Sequence, residues 1–466
     1  MDKNIAARHA DINTAVTCGT YYALYMFVFL LSELICQSKG AIAIGVEKVV
    51  SVYTVGLIFT AVGYLLLPFS RALIHGERAR GFILLAAGAM ALLSFGAIIF
   101  NGPPFFFMLL VAIYMTAVGY IGAFVHYAMA MEMRSSPYGG ITIGCAICSS
   151  IIIQYIVQNF TTTDFSLFAA ITAAFAVMFL ILRGREAKLA SCATADSKMC
   201  RTLSCVKECR VLIAITAIMS IVMGISDGIL TSLHASGEVV LSAYPRLFYA
   251  VSLVMAGYIA DIKKRFYMPV ATTCVLLLSV VITSFFEGSY GYVISLSTLY
   301  FLGGFAVVYF TTAFMDIAPD TDNPALWAGM GRIVRSLTIG FIAIPGTMLF
   351  RCASHHLLTL ISLTLSLAVL VIFYINGKLD CSRAKVPSEK LDDASFAERF
   401  GLTERESELA KTIIMSSENI KELAVQMSVS ERALQRSIKV IYDKTGADSR
   451  LALIRIYYEN KGDSKV

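Results

Sequence analysis

Charged residues are scarce in this sequence. They make up 15% of its 466 residues, against roughly 25% in a typical soluble domain. Hydrophobic residues make up 57%, and the mean hydropathy is +0.73. A soluble protein of 50.7 kDa cannot cover its surface with so few charges, and a disordered chain would contain far less Ile, Leu, Val and Phe. Most of the chain is therefore predicted to face lipid.

The sequence also lacks the motifs of common enzyme and metal sites. It has no P-loop, no dinucleotide-binding glycine fingerprint, no metalloprotease motif and no nucleophile elbow. Its 11 cysteines do not have the spacing of a disulfide-rich secreted protein. We therefore expect neither an enzyme nor a cofactor. Zinc binding or redox sensing stays an open alternative for four thiols in one polar loop: Cys192, Cys200, Cys205 and Cys209.

Apolar stretches long enough to cross a bilayer recur along the chain. The first six predicted spans cover residues 15–36, 49–70, 81–100, 105–131, 139–158 and 165–183. A polar loop over residues 183–210 follows. Six more spans cover residues 211–233, 244–261, 268–286, 289–313, 325–350 and 355–376. The prediction is an all-α membrane domain over residues 1–376, with twelve helices in two groups of six.

Basic residues are distributed unevenly over the predicted loops. With the N-terminus in the cytoplasm, the inside loops hold 16 Lys or Arg and the outside loops hold four. This count assigns Arg332 and Arg335 to an inside loop. Because basic residues accumulate in cytoplasmic loops, both termini are predicted to be cytoplasmic. The expected location is the inner (plasma) membrane of a bacterial cell.

Three ionisable residues within predicted spans are candidates for an intramembrane role. Glu33 lies in the first span, His126 in the fourth and Asp227 in the seventh. Ionisable groups are costly in a bilayer and generally serve a function there, so these three are candidates for a ligand cavity. Alternatively, Glu33 and His126 lie close enough to a span end to reach the interface.

One inside loop carries a short motif, Gly257-Tyr-Ile-Ala-Asp261-Ile-Lys-Lys-Arg265. Together with two groups of six spans around a long basic loop, it resembles the major facilitator superfamily of transporters. The resemblance implies that the first, fourth and seventh spans line a central cavity. The matching loop of the first half, from Gly63 to Arg71, lacks the acidic residue. A basic inside loop of an unrelated polytopic protein is the alternative explanation.

The composition becomes polar after the last span. Residues 377–397 are predicted to be a linker, and residues 398–466 a small four-helix domain. Thr403 and Glu406 form a capping-box pattern, Ser430 is expected to cap the third helix, and Gly446 to end it. A short helix, a turn and an amphipathic helix are typical of the helix-turn-helix motif.

This segment resembles the DNA-binding domain of LuxR-type (GerE-type) transcription regulators. The resemblance rests on Leu402-Thr403-x-Arg405-Glu406, Lys421-Glu-Leu-Ala424, Val429-Ser-Glu-x-Ala-Leu434 and Ile441-x-x-Lys444-x-Gly446. It implies that DNA bases are read by Gln435, Arg436 and Lys439. It also implies phosphate contacts from Ser430, Arg432, Ser437, Lys421 and Lys444. The family usually has Lys in place of Gln435 and often His in place of Ser437, so its consensus operator is not transferred.

The fourth helix of such domains often pairs two monomers. Leu451, Ile454 and Tyr458 are therefore candidates for a homodimer contact, with core packing as the alternative. The combined prediction is a membrane-bound transcription regulator that senses a small ligand and binds operator DNA, with RNA polymerase as a possible further partner. The alternative is a secondary transporter with a regulatory DNA-binding tail.

Overall fold

The computed structural model describes most of the chain. It covers residues 2–100, 104–134, 136–161, 163–185, 189, 203–235, 237, 245–262, 265–285, 288–352, 355–383, 396–397, 400–415, 430–447 and 453. Regular secondary structure in these residues is helical throughout. The chain divides into two compact units, Met1–Gly377 and Lys378–Val466.

The described part of the first unit is built from long helices. The first-half helices are α1 (Asp2–Ile44), α2 (Val49–Leu73), α3 (Glu77–Ile99), α4 (Phe107–Glu132), α5 (Gly139–Phe160) and α6 (Asp164–Leu182). The second-half helices are α7 (Leu203–Ala235), α8 (Pro245–Asp261), α9 (Met268–Phe285), α10 (Gly288–Ile317), α11 (Pro324–Cys352) and α12 (His355–Arg383).

Each predicted span falls on one of these helices, although α1 begins 13 residues before its predicted span and α7 begins eight residues before its own. In the described residues, nine helices are long and apolar enough to cross a bilayer: α1 to α7, α10 and α11. The apolar stretches of α8, α9 and α12 are shorter, at Leu247–Asp261, Met268–Thr283 and Leu360–Phe373. Length and composition thus support nine spans, and twelve stays a prediction.

The outer surface of the first unit is apolar. Leu93, Leu180 and Phe341 are each at least 67% exposed. Large apolar side chains exposed in such numbers would aggregate in water, whereas lipid solvates them. The surface therefore fits a membrane protein.

The two halves meet along two seams, where α5 packs on α8 and α2 packs on α11. The first seam is unusually close. A Cβ atom added to Gly257 would lie 2.7 Å from the Gly140 carbonyl oxygen, and one added to Gly140 would lie 2.6 Å from the Gly257 carbonyl oxygen. Such backbone contact requires small residues, which accounts for the first glycine of the Gly257 motif.

A buried ion pair ties three helices of the first half at the predicted cytoplasmic end. Arg185 donates to Glu132, and the side chains are only 14% and 5% exposed. The Cys18 thiol donates to the same carboxylate at 3.4 Å, and the Arg185 guanidinium lies 4.9 Å from the centre of the Tyr21 ring. The pair thus joins α1, α4 and the end of α6.

The described residues of the second unit form two helices around one apolar cluster. These are α13 (Glu404–Met415) and α14 (Glu431–Thr445). The cluster includes Leu402, Leu409, Ile413, Leu434, Ile438 and Ile441. The predicted second and fourth helices of this domain lie outside the described residues, so the four-helix domain stays a prediction.

Local signals in the second unit predicted the helix ends. The Thr403 backbone N–H donates to Glu406 at 2.7 Å and the Glu406 N–H to Thr403 at 3.4 Å, which is the expected capping box. Ser430 accepts from the Ala433 N–H at 3.3 Å, and Gly446 ends α14 at φ 72°. The start of the predicted linker differs, because α12 continues to Arg383, and residues 378–383 contain no helix-breaking Gly or Pro.

We expect Glu132→Gln to destabilise the protein by about 3–5 kcal/mol, because it leaves the Arg185 charge buried without its partner. The measurement is the thermal unfolding midpoint of the full chain in detergent. Glu77→Gln, which removes an exposed carboxylate from the first turn of α3, is the matched control. Equal midpoints for the two variants would show that the pair is not structural.

Candidate functional site

A cavity of about 200 Å³ lies between the two halves of the first unit. Residues of α1, α2 and α5 line it from one side, and residues of α7, α8, α10 and α11 from the other. Its polar lining consists of Glu33, Gln37, Tyr53, Gln154, Asp227, Thr231, Tyr249, Tyr300, Arg332, Arg335 and Ser336. A concave site with convergent polar groups at such an interface is a typical place for a small ligand.

The cavity lies nearer to the predicted outer end of the bundle. Two of its aromatic residues, Tyr53 and Tyr249, stand only four residues after the first residues of α2 and α8. Both helices begin on the predicted outer side. A ligand would therefore have a shorter path to the outside than to the cytoplasm.

Two of the three predicted cavity residues line this space. Glu33 and Asp227 are both half-buried in its wall. The Tyr53 hydroxyl donates to the Asp227 carboxylate at 3.4 Å, across from α2 to α7. The structure thus brings an acid from each half to one cavity.

His126 lies elsewhere, in a buried cluster with Tyr22, Tyr25 and Tyr64, here named the His126 cluster. Its Nδ1 is 2.8 Å from the Gly122 carbonyl and 3.1 Å from the Tyr64 hydroxyl, and its Nε2 is 3.3 Å from the Tyr22 hydroxyl. His126 is 3% exposed and does not reach the membrane interface. It lines a smaller pocket that also includes Arg332 and Arg335.

The assignment of Arg332 and Arg335 to a cytoplasmic loop was wrong. Both lie well inside α11, which already begins at Pro324 after Asn323 accepts the Leu326 N–H at 3.2 Å. They line the cavity and contribute to both pockets. The sequence did contain a signal for this placement, because the two arginines lie three residues apart, on one face of an otherwise apolar helix. Without them fourteen basic residues still lie in inside loops, so the predicted orientation is unchanged.

Both arginines have unused hydrogen-bonding capacity. Their Nε atoms are buried and have no hydrogen-bond partner. The Arg332 guanidinium lies 4.2 Å from the centre of the Phe29 ring, a cation–π contact. Among the described residues, neither guanidinium forms an ion pair.

The lining of the two pockets follows a regular pattern along the chain. Together they draw residues from α1, α2, α4 and α5 of the first half and from α7, α8, α10 and α11 of the second. In the described residues, every third helix contributes none: α3, α6, α9 and α12. Equivalent helices of each half therefore face the centre, as expected for two related repeats.

The predicted cytoplasmic ends of the halves are held together by a polar contact, here named the clamp. Asp261, at the end of α8, accepts hydrogen bonds from the Gly140 and Ile141 backbone N–H groups, both at 2.7 Å. These are free N–H groups of the first turn of α5, and a carboxylate is favoured there by the helix dipole. Arg265 contacts Asp261 and donates to Asp316 on α10 at 2.8 Å.

A second bridge crosses the same end. Arg134, between α4 and α5, donates to Asp320, between α10 and α11, at 2.7 Å. It is more exposed than the clamp, with 64% of the Asp320 side chain accessible, so its contribution is small. Both contacts close the bundle on the predicted cytoplasmic side of the cavity.

The predicted base-reading residues share the exposed face of α14. Gln435, Arg436 and Lys439 are exposed, as are Ser430, Arg432 and Ser437 among the predicted phosphate contacts. Their neighbours Leu434, Ile438 and Ile441 are buried. Lys421, Leu451, Ile454 and Tyr458 lie outside the residues that the structure describes.

Lys444 has partners within its own unit. Its ammonium donates to Glu406 at 2.6 Å and to the Gly401 carbonyl at 3.1 Å. The Lys444 ammonium and the Thr403 backbone N–H together lower the pKa of Glu406 to about 2. A phosphate contact by Lys444, which stays a prediction, would compete with these bonds.

The chain has distant structural neighbours. It is similar to a variant of the E. coli fucose:proton symporter FucP, with 14% identity and a TM-score of 0.48 over 78% of this chain and 97% of that chain. It is also similar to FucP, a major facilitator superfamily transporter, in the outward conformation, with 13% identity and a TM-score of 0.49 over the same shares. No family model and no curated protein matches the chain. Likeness at this level assigns no function.

We expect Asp261→Asn to open the predicted cytoplasmic end. Loss of the carboxylate at the α5 N-terminus costs about 1–2 kcal/mol, which shifts a two-state equilibrium roughly fivefold to thirtyfold. The measurement is the distance between spin labels on non-canonical amino acids at Pro137 and Phe266, which are both exposed. A second, longer distance population should appear.

The control for this experiment is Asp164→Asn. Asp164 pairs with Lys39 at 2.7 Å, within the first half and at the other end of the bundle. Its loss should leave the label distance unchanged. An unchanged distance in Asp261→Asn as well would show that the clamp does not hold the halves together.

Proposed function

We propose that the first unit is a solute-binding membrane domain of the secondary-transporter type, in which two six-helix halves rock around a central site. The observation that carries the proposal is the combination of a charged cavity between the halves and a clamp across them that, in the part of the chain the structure describes, lies on the predicted cytoplasmic side. A site reached from one side and closed on the other is what alternating access requires.

The proposed location is the plasma membrane, with both termini in the cytoplasm. The apolar outer surface and the bias of basic residues toward one set of loops support it. In this orientation the clamp closes the cytoplasmic side, and the cavity lies on the path to the outside.

Transport is favoured over sensing for this unit. The first-half loop lacks the acidic residue of the motif, which would weaken closure of the cytoplasmic side if both copies were needed. In the structure, the second-half copy alone supplies the carboxylate at the seam, and Arg134–Asp320 adds a second bridge. The contacts that close the predicted cytoplasmic side are therefore in place. The missing acidic residue of the first-half loop does not argue against transport of a solute.

The test of this proposal does not depend on knowing the solute. Proteoliposomes with the full chain are placed in a defined mixture of sugars, organic acids, amino acids and nucleosides under a proton or sodium gradient. Mass spectrometry then measures what accumulates inside. At least one solute should accumulate with the parent protein and not with Arg335→Gln. Solute binding without any accumulation would defeat the transporter proposal and favour a sensor.

As a second function, we propose that the second unit binds DNA and makes the protein a membrane-bound regulator of transcription. The supporting observation is the exposed basic face of α14, opposite its buried apolar face. An amphipathic helix with Arg and Lys on its free side suits the major groove and the flanking phosphates. Operator DNA, a homodimer and RNA polymerase are the partners this function implies.

We expect Arg436→Ala or Lys439→Ala to weaken specific binding by about 1–3 kcal/mol. Chromatin pull-down of the tagged full chain identifies operators, and binding is then measured with the fragment Lys378–Val466 at fixed salt. Lys411→Ala, which removes an exposed lysine from α13, is the control and should bind normally. Equal affinities for all three variants and the parent would refute the recognition-helix assignment.

A further inference from the structure

Two arginines in the cavity between the halves have buried donors without an acceptor. In the lining that the structure describes, the buried side-chain nitrogen and oxygen atoms without a hydrogen-bond partner are Nε of Arg332 and Nε of Arg335. Both atoms are donors, and neither guanidinium forms an ion pair with a described residue. A buried donor without an acceptor is costly, most of all on a charged group. The cavity therefore lacks an acceptor at these two positions.

The acidic side chains of the cavity differ from the arginines, because they have contacts within the protein. The Tyr53 hydroxyl donates to Asp227 at 3.4 Å, and Glu33 is not without an interaction in the chain. In the described lining, no buried acceptor atom of a side chain lacks a hydrogen-bond partner. The unmatched groups therefore favour a ligand that accepts hydrogen bonds, and they do not require a ligand with a positive charge.

The two guanidinium groups can reach one ligand group. Arg332 and Arg335 lie three residues apart on α11, which places both side chains on one face of that helix, and both line the cavity. A guanidinium presents its N–H donors in a planar fork that matches a carboxylate. A carboxylate also supplies a negative charge, whereas a sugar hydroxyl supplies none. Because Asp227 lines the same space, one negative charge fits better than the two of a phosphate monoester.

The remaining lining indicates what the carboxylate is attached to. Tyr53, Tyr249 and Tyr300 line the cavity, and the Tyr249 and Tyr300 rings lie 6.0 Å apart between centroids. Aromatic walls favour an apolar or aromatic body. The volume of about 200 Å³ is below the roughly 300–1,000 Å³ of sites for drug-sized ligands, so the ligand is small.

We propose that the solute is a small organic acid with one carboxylate and an apolar or aromatic body. The carboxylate binds Arg332 and Arg335, and the body lies among the three tyrosines. This inference rests on the proposal that the cavity is the solute site. A simple monocarboxylate and an amino acid share this chemistry, and the experiment distinguishes them.

The experiment measures binding, not transport. The thermal unfolding midpoint of the full chain in detergent is recorded with butyrate, isocaproate, benzoate, hydrocinnamate, leucine and phenylalanine. Each acid is compared with its carboxamide, which has the same body but no carboxylate. We expect at least one acid to stabilise the protein and to bind at least about tenfold more tightly than its carboxamide, because the carboxamide has no charge to set against the arginines.

Arg335→Gln tests the assignment of the carboxylate. It should weaken binding of the acid at least about tenfold and change binding of the carboxamide much less, so the ratio between the two affinities should fall. A purely structural effect of the substitution would weaken both ligands alike. Arg335→Lys, which keeps the charge but loses the planar fork, should bind the acid with intermediate affinity. Arg78→Gln, which removes an exposed arginine from the first turn of α3, is the matched control and should change neither affinity.

A second variant distinguishes an amino acid from a simple acid. Phenylalanine differs from hydrocinnamate only in its ammonium group, as leucine does from isocaproate. Asp227→Asn removes a negative charge from the cavity, so it should weaken binding of an amino acid whose ammonium contacts Asp227 and strengthen binding of a simple acid. Either result supports the carboxylate site and identifies the kind of acid that occupies it.

Four results would overturn the proposal: no acid binds, the carboxamide binds as tightly as its acid, phenethylamine or phenyl phosphate binds more tightly than every acid, or Arg335→Gln weakens acid and carboxamide equally. None of these is the failure of the transporter proposal. Binding of an acid with the expected ratios, but no accumulation in proteoliposomes, would leave the carboxylate site intact and refute transport. Accumulation of a sugar or an amine would do the reverse.

Discussion

The contact between Asp261 and the first turn of α5 determines how the two halves of the membrane unit are arranged. The second half supplies the carboxylate and the first half supplies the N–H groups, so the contact forms only where the two halves meet. The contact is possible only because Gly140 and Gly257 bring the α5 and α8 backbones together, which places Asp261 within 2.7 Å of two amides. It is also removable at low cost, since a charge at a helix terminus contributes about 2 kcal/mol at most. An interaction of this strength stabilises the state that is closed on the cytoplasmic side without preventing the transition to the open state.

The sequence predicted the helices of the membrane unit well, because an apolar stretch of bilayer length is a local signal. It also predicted the ends of α13 and α14, since capping depends on residues three or four positions apart. It failed at Arg332 and Arg335, which the count of loop charges placed in an inside loop although the predicted span 325–350 already contained both; in the structure they lie within α11, which begins at Pro324. Which intramembrane residues share a cavity is set by the packing of distant helices, and for this reason Glu33 and Asp227 met while His126 joined a separate tyrosine cluster.

In the second unit, the sequence predicts several features that lie outside the described residues and therefore stay predictions. The amphipathic pattern of α14 follows from a period of 3.6 residues, and the structure has the predicted buried and exposed faces. The role of Lys444 did not follow from the pattern. Its partner Glu406 lies 38 residues away, and only the packing of α13 against α14 brings the two together. The resemblance to LuxR-type regulators assigned that lysine to DNA, whereas the folded domain already uses it.

The charges in the cavity and the clamp are connected through the energy of closing the site. When the halves close over an empty cavity, the ionisable side chains that line it, Asp227, Arg332 and Arg335 among them, lose solvent, which is costly. A ligand that forms polar contacts with them offsets that cost, so its binding favours the closed state by its difference in affinity between the two states. The interaction of Asp261 with the N-terminus of α5, about 2 kcal/mol at most, is then one of the contacts that must break for the cytoplasmic side to open. Transport and sensing both need this coupling, and they differ only in whether the ligand leaves on the far side. The feature that separates a carrier from a receptor in this chain is thus the strength of the clamp relative to the difference in ligand affinity between the two states.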